Sequence, residues 1–473
     1  MTLPVWRIAA PPMVAVVALL LAVSSHHGPH WDELYFAQLP LQWWYVDQPP
    51  LTVWLTWLMG QLSGALWVQR LPAIAAAAAG AWVAALFPRA LGASARVQSL
   101  AAWAHAFTVY PLIMGHVFTT STLDLLAWQV VVLFVLYACQ GWGASWLGWA
   151  GLVAGVACWN KLLIVALVGA LAASLLITAR RLLWTRGALV GAVAFVAFAA
   201  PQVGAQVIHG LPMTEVSAGL VDQQGTLVRL VLVPAIALFA GPPLLLIWLA
   251  GLVDPWRSGD RAGRFLLPTF LLVVGFNLVS PSQPYYAVGA LLPALALGWA
   301  SPTVTARWSL PTLRRLAAAN GAVSVLVCLP LLPADGPWGW AQAQLNPTIR
   351  DQLGWPDYAR QVTDQLRPGE AVVTDLYALA GAVHRYGPPE VRDAVFSGHN
   401  ALWSLGPPNR EAVLLVGRDA VAQAGAFERC TPAQALQPAA VAHPQLRDVP
   451  VMHCVGPSPD WASVWPALRR LSG

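Results

Sequence analysis

The sequence predicts a polytopic α-helical membrane protein with a soluble α/β domain at its C-terminal end. Three observations carry this reading. The 473 residues are 58% hydrophobic and 10% charged, whereas a soluble domain holds about a quarter charged residues. Up to Pro333 the acids are confined to Asp32, Glu33, Asp47, Asp124, Glu215, Asp222, Asp254 and Asp260, while apolar segments recur; from Ala334 onward the composition is mixed. Arginines, finally, are concentrated in every second loop. The chain therefore divides into residues 1–333, with an external loop at 25–67, and a domain at 334–473.

A helix needs about 20 apolar residues to cross a bilayer. Candidate spans are Ile8–Ser24, Val68–Phe87, Val97–Gly115, Thr119–Cys139, Trp146–Trp159, Leu162–Thr178, Gly187–Gly204, Leu227–Leu249, Phe265–Ser280, Tyr286–Ala300 and Leu316–Leu332. That makes about eleven. With the N-terminus in the cytoplasm, inner loops hold Arg89 and Arg96; Arg180, Arg181 and Arg186; Arg257, Arg261 and Arg264; and Arg307, Arg314 and Arg315. Outer loops hold little beyond Arg70, Lys161 and Arg229 at span ends. This positive-inside pattern places the C-terminal domain outside the cytoplasm. Leu51–Leu66 is apolar but interrupted by Gly60, Gln61, Ser63 and Gly64 and rich in tryptophan, so it reads as a helix on the membrane surface. The first span resembles a signal peptide and reads as an uncleaved anchor, because many spans follow. Frequent Ala, Gly, Pro and Arg with Lys161 as the sole lysine point to a GC-rich bacterial genome, and the expected location is the bacterial inner membrane. The net charge of +5 lies in short loops, which orientation explains; it does not signal nucleic acid.

The first external loop concentrates chemistry. It runs His26-His27-Gly28-Pro29-His30-Trp31-Asp32-Glu33-Leu34-Tyr35 and then Trp43-Trp44-Tyr45-Val46-Asp47-Gln48-Pro49-Pro50-Leu51. A carboxylate at a membrane surface can take a proton from an attacking hydroxyl, and two can hold a divalent cation against a phosphate. Pro49-Pro50 fixes the backbone after Asp47. Solvated loop acids are the bland alternative.

These residues resemble bacterial members of glycosyltransferase family 39, the protein mannosyltransferase-like and aminoarabinose transferase-like enzymes of the GT-C fold. The resemblance rests on Asp32-Glu33 and the Asp47-x-Pro-Pro-Leu turn. It continues through Gly115-His116-Val117-Phe118-Thr119-Thr120 to Asp124, Trp159-Asn160-Lys161, Pro281-Ser282-Gln283-Pro284-Tyr285-Tyr286, Ser397-Gly398-His399-Asn400 and Gly406-Pro407-Pro408. It implies a polyprenyl-phosphate-linked sugar as donor and transfer on the extracytoplasmic face to a protein, lipid or glycan acceptor. It implies Asp32 as catalytic base, with Glu33 and Asp47 in the catalytic group and Asp47 as the candidate ligand of a divalent metal ion. Tyr35 and His116 fall among the supporting residues. Two departures stand out: many relatives carry lysine where this chain has Gln48 and Gln283, which removes a phosphate-binding cation.

The remaining polar residues fit that expectation. Asp124 lies inside an apolar span, where a carboxylate costs about 2.5–3.5 kcal/mol at the centre, so it should face a cavity or a partner. Lys161 sits at the outer end of two spans, against the orientation rule, and suits a departing lipid phosphate; snorkelling is the alternative. Arg70 shares that ambiguity. Tyr285 and Tyr286 can stack on sugar or form part of an aromatic belt. The segment from Ala205 to Thr226, with Glu215 and Asp222, reads as a loop that could cover the site or bind acceptor.

In the C-terminal domain Trp355–Leu366 has helical periodicity with Tyr358 and Val362 on one side. Ala371–Thr374, Ala412–Val416 and Val451–Val455 read as strands around a helix at Leu376–Tyr386, a small α/β layer; Ser397–Asn400 and Gly406–Pro408 read as loops, either lining an acceptor site or simple turns, with turns the stronger reading. Cys430 and Cys454 could pair in an oxidising compartment. The expected function is a glycosyltransferase that inverts the transferred sugar. A transporter or flippase of lipid-linked saccharides and a non-catalytic binder of them are the rivals. Transporters place polar residues near the midplane in two related halves; here the acids cluster at one surface.

Overall fold

A computed structural model describes residues 4–258, 261–281, 283–437 and 446–471. Helices lie along every predicted span: Val5–Val23, Leu71–Ala90, Ala95–Ala106 continued by Val109–His116, Thr120–Cys139, Ser145–Ala157, Ile164–Thr178, Arg186–Ile208, Pro212–Ala240 continued by Leu245–Arg257, Leu266–Val279, Val288–Gly298 and Leu310–Cys328. Among the described residues 5 helices are long and apolar enough to cross a membrane unaided. Val190, Val193, Val196, Leu230 and Val233 lie bare on the outside of the bundle, as expected where hydrocarbon rather than water is the solvent. Close packing inside uses small residues. A Cβ on Gly151 would meet the Gly191 carbonyl at 2.0 Å, so helices 145–157 and 186–208 touch backbone to backbone.

Two expectations fail. The segment 205–226 is helix rather than loop: Arg186–Ile208 covers its start, and after Leu211 (φ 60°) a new helix begins at Pro212. Proline at the first helical position is pre-organised for a helix start, and the Glu, Ala, Val and Gln residues after it carry the helix on; polar composition alone suggests a loop. The predicted span Leu227–Leu249 is broken. Its helix stops at Gly241 (φ 87°) and resumes at Leu245. Pro242 and Pro243 offer no N–H to continue the ladder, and a side chain on Gly241 would collide with Asn320.

Leu51–Leu62 is a helix of 12 residues, about 18 Å long. It exposes Trp57, Leu58 and Leu62.

Beyond 333 the chain forms a mixed five-stranded sheet in the order β2-β1-β3-β5-β4. The strands are β1 (Ala371–Thr374), β2 (Val395–Ser397), β3 (Ala412–Val416), β4 (Phe427–Pro432) and β5 (Val451–Pro457). β1 runs parallel to β2 and β3; β5 is antiparallel to β3 and β4. Helices Trp355–Gln365 and Tyr377–Tyr386 cover one face, burying Tyr358, Val362, Ala378 and Ala382. Cys430 and Cys454 stand opposite each other across β4 and β5 and are joined by a disulfide. Strands β2 and β4 were not foreseen. β2 has three residues, and β4 reads Phe-Glu-Arg-Cys-Thr-Pro, a polar edge strand without an apolar run.

The composition shift at 333/334 is not a packing boundary. Trp31, Leu34, Tyr35, Phe36, Tyr45 and Val53 of the first external loop share one hydrophobic core with Trp355, Tyr358, Tyr377 and Leu414 of the C-terminal part. The loop is clamped between bundle and sheet.

Candidate active site

Asp32 and Glu33 sit on the short helix Trp31–Phe36. His30 caps it: its side chain accepts from the Asp32 N–H, and Glu33 accepts from the His30 N–H. That reciprocal cap fixes the two acids in opposite settings.

Glu33 turns inward. Its carboxylate receives Nε and Nη2 of Arg70 at 2.9 and 2.7 Å, together with the Phe118 N–H at 3.0 Å. Arg70, 0% exposed, also donates to the Ser24 and Gly28 carbonyls and to Gln352 Oε1, and lies 3.2 Å from His116 Nε2. Burial opposes charge on Glu33, but the Arg70 guanidinium and these hydrogen bonds hold its carboxyl below the ordinary value. Glu33, Arg70 and His116 thus form a knot tying the first external loop, helices 71–90 and 109–116 and Gln352 together, with His116 Nδ1 buried and unpartnered. None of the three lines the cavity described next.

Asp32 turns the other way, into a cavity of about 410 Å³. Asp47, Gln48, Lys161, Gln283, Tyr285 and Tyr286 line the same space, so most of the predicted site residues meet. Ser282, in the Pro281–Tyr286 turn, lies outside the described residues. Lys161 is held in place by its neighbours. Leu51 N–H donates to the Trp159 carbonyl, Thr52 donates to Asn160 Oδ1, and Asn160 Nδ2 donates to the Thr120 carbonyl. The Lys161 ammonium donates to Ser121 Oγ at 2.8 Å and faces the Tyr286 and Tyr285 rings at 4.6 and 5.7 Å. Burial pulls its pKa below the ordinary lysine value, partly offset by Asp124 and Asp32. Asp124 stands behind Lys161, beside Tyr110 and Gly289, and accepts from Trp128 Nε1 at 3.0 Å.

Asp47 is pinned by Tyr35, whose hydroxyl lies 3.0 and 2.9 Å from the two carboxylate oxygens and accepts the Ala401 N–H at 2.9 Å. Burial pushes the Asp47 carboxyl up to about 7; the Tyr35 hydrogen bond works against that rise, and nearby Asp32 adds to it. Among the described residues no group of three His, Cys, Asp or Glu is placed to hold a metal ion.

Tyr377 is a lining residue that the sequence reading does not single out, whereas Asn400 and the 213–220 face belong to segments it places beside an acceptor. Tyr377, from the sheet domain, donates its hydroxyl to Asp32 Oδ1 at 3.2 Å. Asn400 reaches the cavity from a left-handed backbone conformation (φ 51°). Asn400 Oδ1 and Gln48 Nε2 are buried without partners, each residue being 7% exposed. One acceptor and one donor are therefore left for a guest. Met213, Val216, Ser217 and Leu220 form the far wall, and their i, i+3, i+4, i+7 spacing is a helical face that could have been read from the sequence. An apolar groove of about 400 Å³ opens from the cavity through shared walls at Leu162, Leu163 and Phe276, then follows helix 164–178 past Val165, Gly169 and Ala173.

Residues 47–204 match the family model described as dolichyl-phosphate-mannose-protein mannosyltransferase. No curated protein sequence matches the chain. The structure is similar to crystal structures of ArnT from Cupriavidus metallidurans. The apo form superposes with a TM-score of 0.58 at 18% identity over 93% of this chain and 97% of that one. The form bound to undecaprenyl phosphate gives 0.58 at 17% identity with the same coverage. The resemblance to the mannosyltransferase-like and aminoarabinose transferase-like group therefore holds, and the chain is a helical membrane protein with the GT-C fold of those proteins.

Proposed function

We propose that the chain is a membrane glycosyltransferase that moves a sugar from a polyprenyl-phosphate donor to an acceptor hydroxyl with inversion. In this reading the bundle makes about eleven crossings of a bacterial inner membrane with the N-terminus in the cytoplasm, and the cavity opens on the extracytoplasmic face. One observation carries the proposal. A polar chamber holding Asp32, Asp47 and Lys161 continues into an apolar groove through Leu162, Leu163 and Phe276, which suits a headgroup on a long hydrocarbon tail. The family match and the undecaprenyl phosphate bound to the ArnT fold neighbour support the same donor class.

The residues then divide the chemistry. Asp32 accepts the acceptor's hydroxyl proton, oriented by the Tyr377 hydroxyl. The acceptor oxygen attacks the anomeric carbon while the bond from that carbon to the phosphate oxygen breaks, and the electron pair leaves with the phosphate. Lys161 neutralises that growing charge. Asp47, ionised, stabilises the oxocarbenium-like sugar, while Gln48 and Asn400 hydrogen-bond its hydroxyls. Attack from the face opposite the phosphate inverts the anomeric configuration. Among the described residues no three His, Cys, Asp or Glu side chains converge; a divalent ion, if bound, would be held by Asp47 with the donor phosphate and would supply charge neutralisation there. Metal dependence is read by titrating magnesium or manganese into chelator-treated protein.

The deciding experiment incubates purified full-length protein in vesicles with a radiolabelled polyprenyl-phosphate sugar and a mixed acceptor extract. Covalent transfer of label to acceptor is expected. Movement of intact donor between leaflets, or binding alone, would overturn the reading.

A further inference from the structure

The end of the bundle opposite Asp32 carries a larger cavity, about 820 Å³, between helices 5–23, 95–106 and 310–328. Each helix contributes an arginine near its start: Arg7, Arg96 and Arg314. All three helices run from this end toward the candidate active site, 95–106 by way of 109–116, so the arginines lie about 20–30 Å of helical rise from the outer rim. All three side chains are exposed, and among the described residues none forms an ion pair; Arg7 rests 5.1 Å over the Trp6 ring. Below them the wall is apolar, built from Leu100, Trp103, Phe107 and Val325. Pro11, Ala318 and Ala322 of the rim are exposed, so the groove opens sideways onto the surface where hydrocarbon would sit.

Three guanidinium groups at a headgroup-level rim match a phosphate, which arginine binds through paired donors. An apolar trough beneath them matches an acyl chain and gives nothing to a free ion. We propose that this groove binds an anionic phospholipid, with its phosphate among Arg7, Arg96 and Arg314 and a chain along Trp103 and Phe107. The site is separate from the donor cavity and does not depend on the catalytic reading. Arg180, Arg181 and Arg186 provide an internal control. They bear equal charge at the same end, exposed on the turn between helices 164–178 and 186–208.

The test is native mass spectrometry of the purified full chain in neutral detergent with phosphatidylglycerol or phosphatidylcholine. Phosphatidylglycerol should be retained selectively, and R7Q/R96Q/R314Q should lower its retention by about a hundredfold. R180Q/R181Q/R186Q should leave retention unchanged. Ala318→Trp, which fills the groove with every charge intact, should also lower it. Equal losses in the two triple variants would reduce the effect to general surface attraction and overturn the proposal. Full retention in Ala318→Trp, or displacement of the lipid by millimolar inorganic phosphate, would overturn it equally; the single variant serves even if the triple variants misfold.

Discussion

Asp32 and Glu33 are adjacent in the chain, yet they belong to two regions of opposite character. Glu33 enters the Arg70 knot, where nearly every donor has an acceptor within 3.2 Å. Asp32 enters the cavity, where Gln48 and Asn400 still hold unpartnered atoms and Lys161 leans on rings and a hydroxyl rather than on a carboxylate. Removing one partner of a buried charge network is costly because the other charge is left unpaired, whereas unpartnered polar groups that face an open space are available to a ligand. Sequence adjacency hides this division, and hydrogen-bond accounting reveals it.

The comparison can be broken from either side. The largest effect should come from Asp32→Asn, which removes the proposed base: transfer should fall by about 10²–10⁴-fold, with thermal stability of the detergent-solubilised protein unchanged. Arg70→Met should do the reverse. It leaves Glu33 buried and unpaired, at a cost of about 3–5 kcal/mol, read as a lowered melting temperature, while the rate per folded molecule stays near wild type. If Arg70→Met abolished turnover in a well-folded protein, the knot would be catalytic after all.

Tyr35→Phe sharpens the contrast through pH. Asp47 titrates at about 7 because burial disfavours its charge, so activity that needs ionised Asp47 should rise as pH passes upward through that value. The Tyr35 hydroxyl favours the charged form; without it the acid limb of the pH–rate profile should move to higher pH by about one unit. A limb that stays put would show that Asp47 does not set it. The smallest effect belongs to Asn400→Ala, expected to raise KM by about tenfold through one lost substrate hydrogen bond, with little change in stability.

Much of this was legible beforehand, for identifiable reasons. The spans were visible because hydrocarbon demands long apolar runs, and Lys161 stood out because a lone external lysine defies the orientation rule. Asp32, Asp47, Gln48, Gln283, Tyr285 and Tyr286 were placed together by motif and do line one cavity. The fate of Glu33 and Arg70 was hidden, because a partner 37 positions away leaves no local trace. Tyr377 comes from the sheet domain and reaches Asp32 only through the shared core around Tyr35. The 213–220 face was readable but masked by its polar neighbours.

The central claim is a division of labour in one chamber: Lys161 holds the phosphate and Asp32 moves the proton. Equilibrium binding of sugar-free polyprenyl phosphate to Lys161→Met and Asp32→Asn tests it directly. Binding should weaken in Lys161→Met and stay near wild type in Asp32→Asn, with transfer lost in both. Unchanged phosphate binding in Lys161→Met would contradict it.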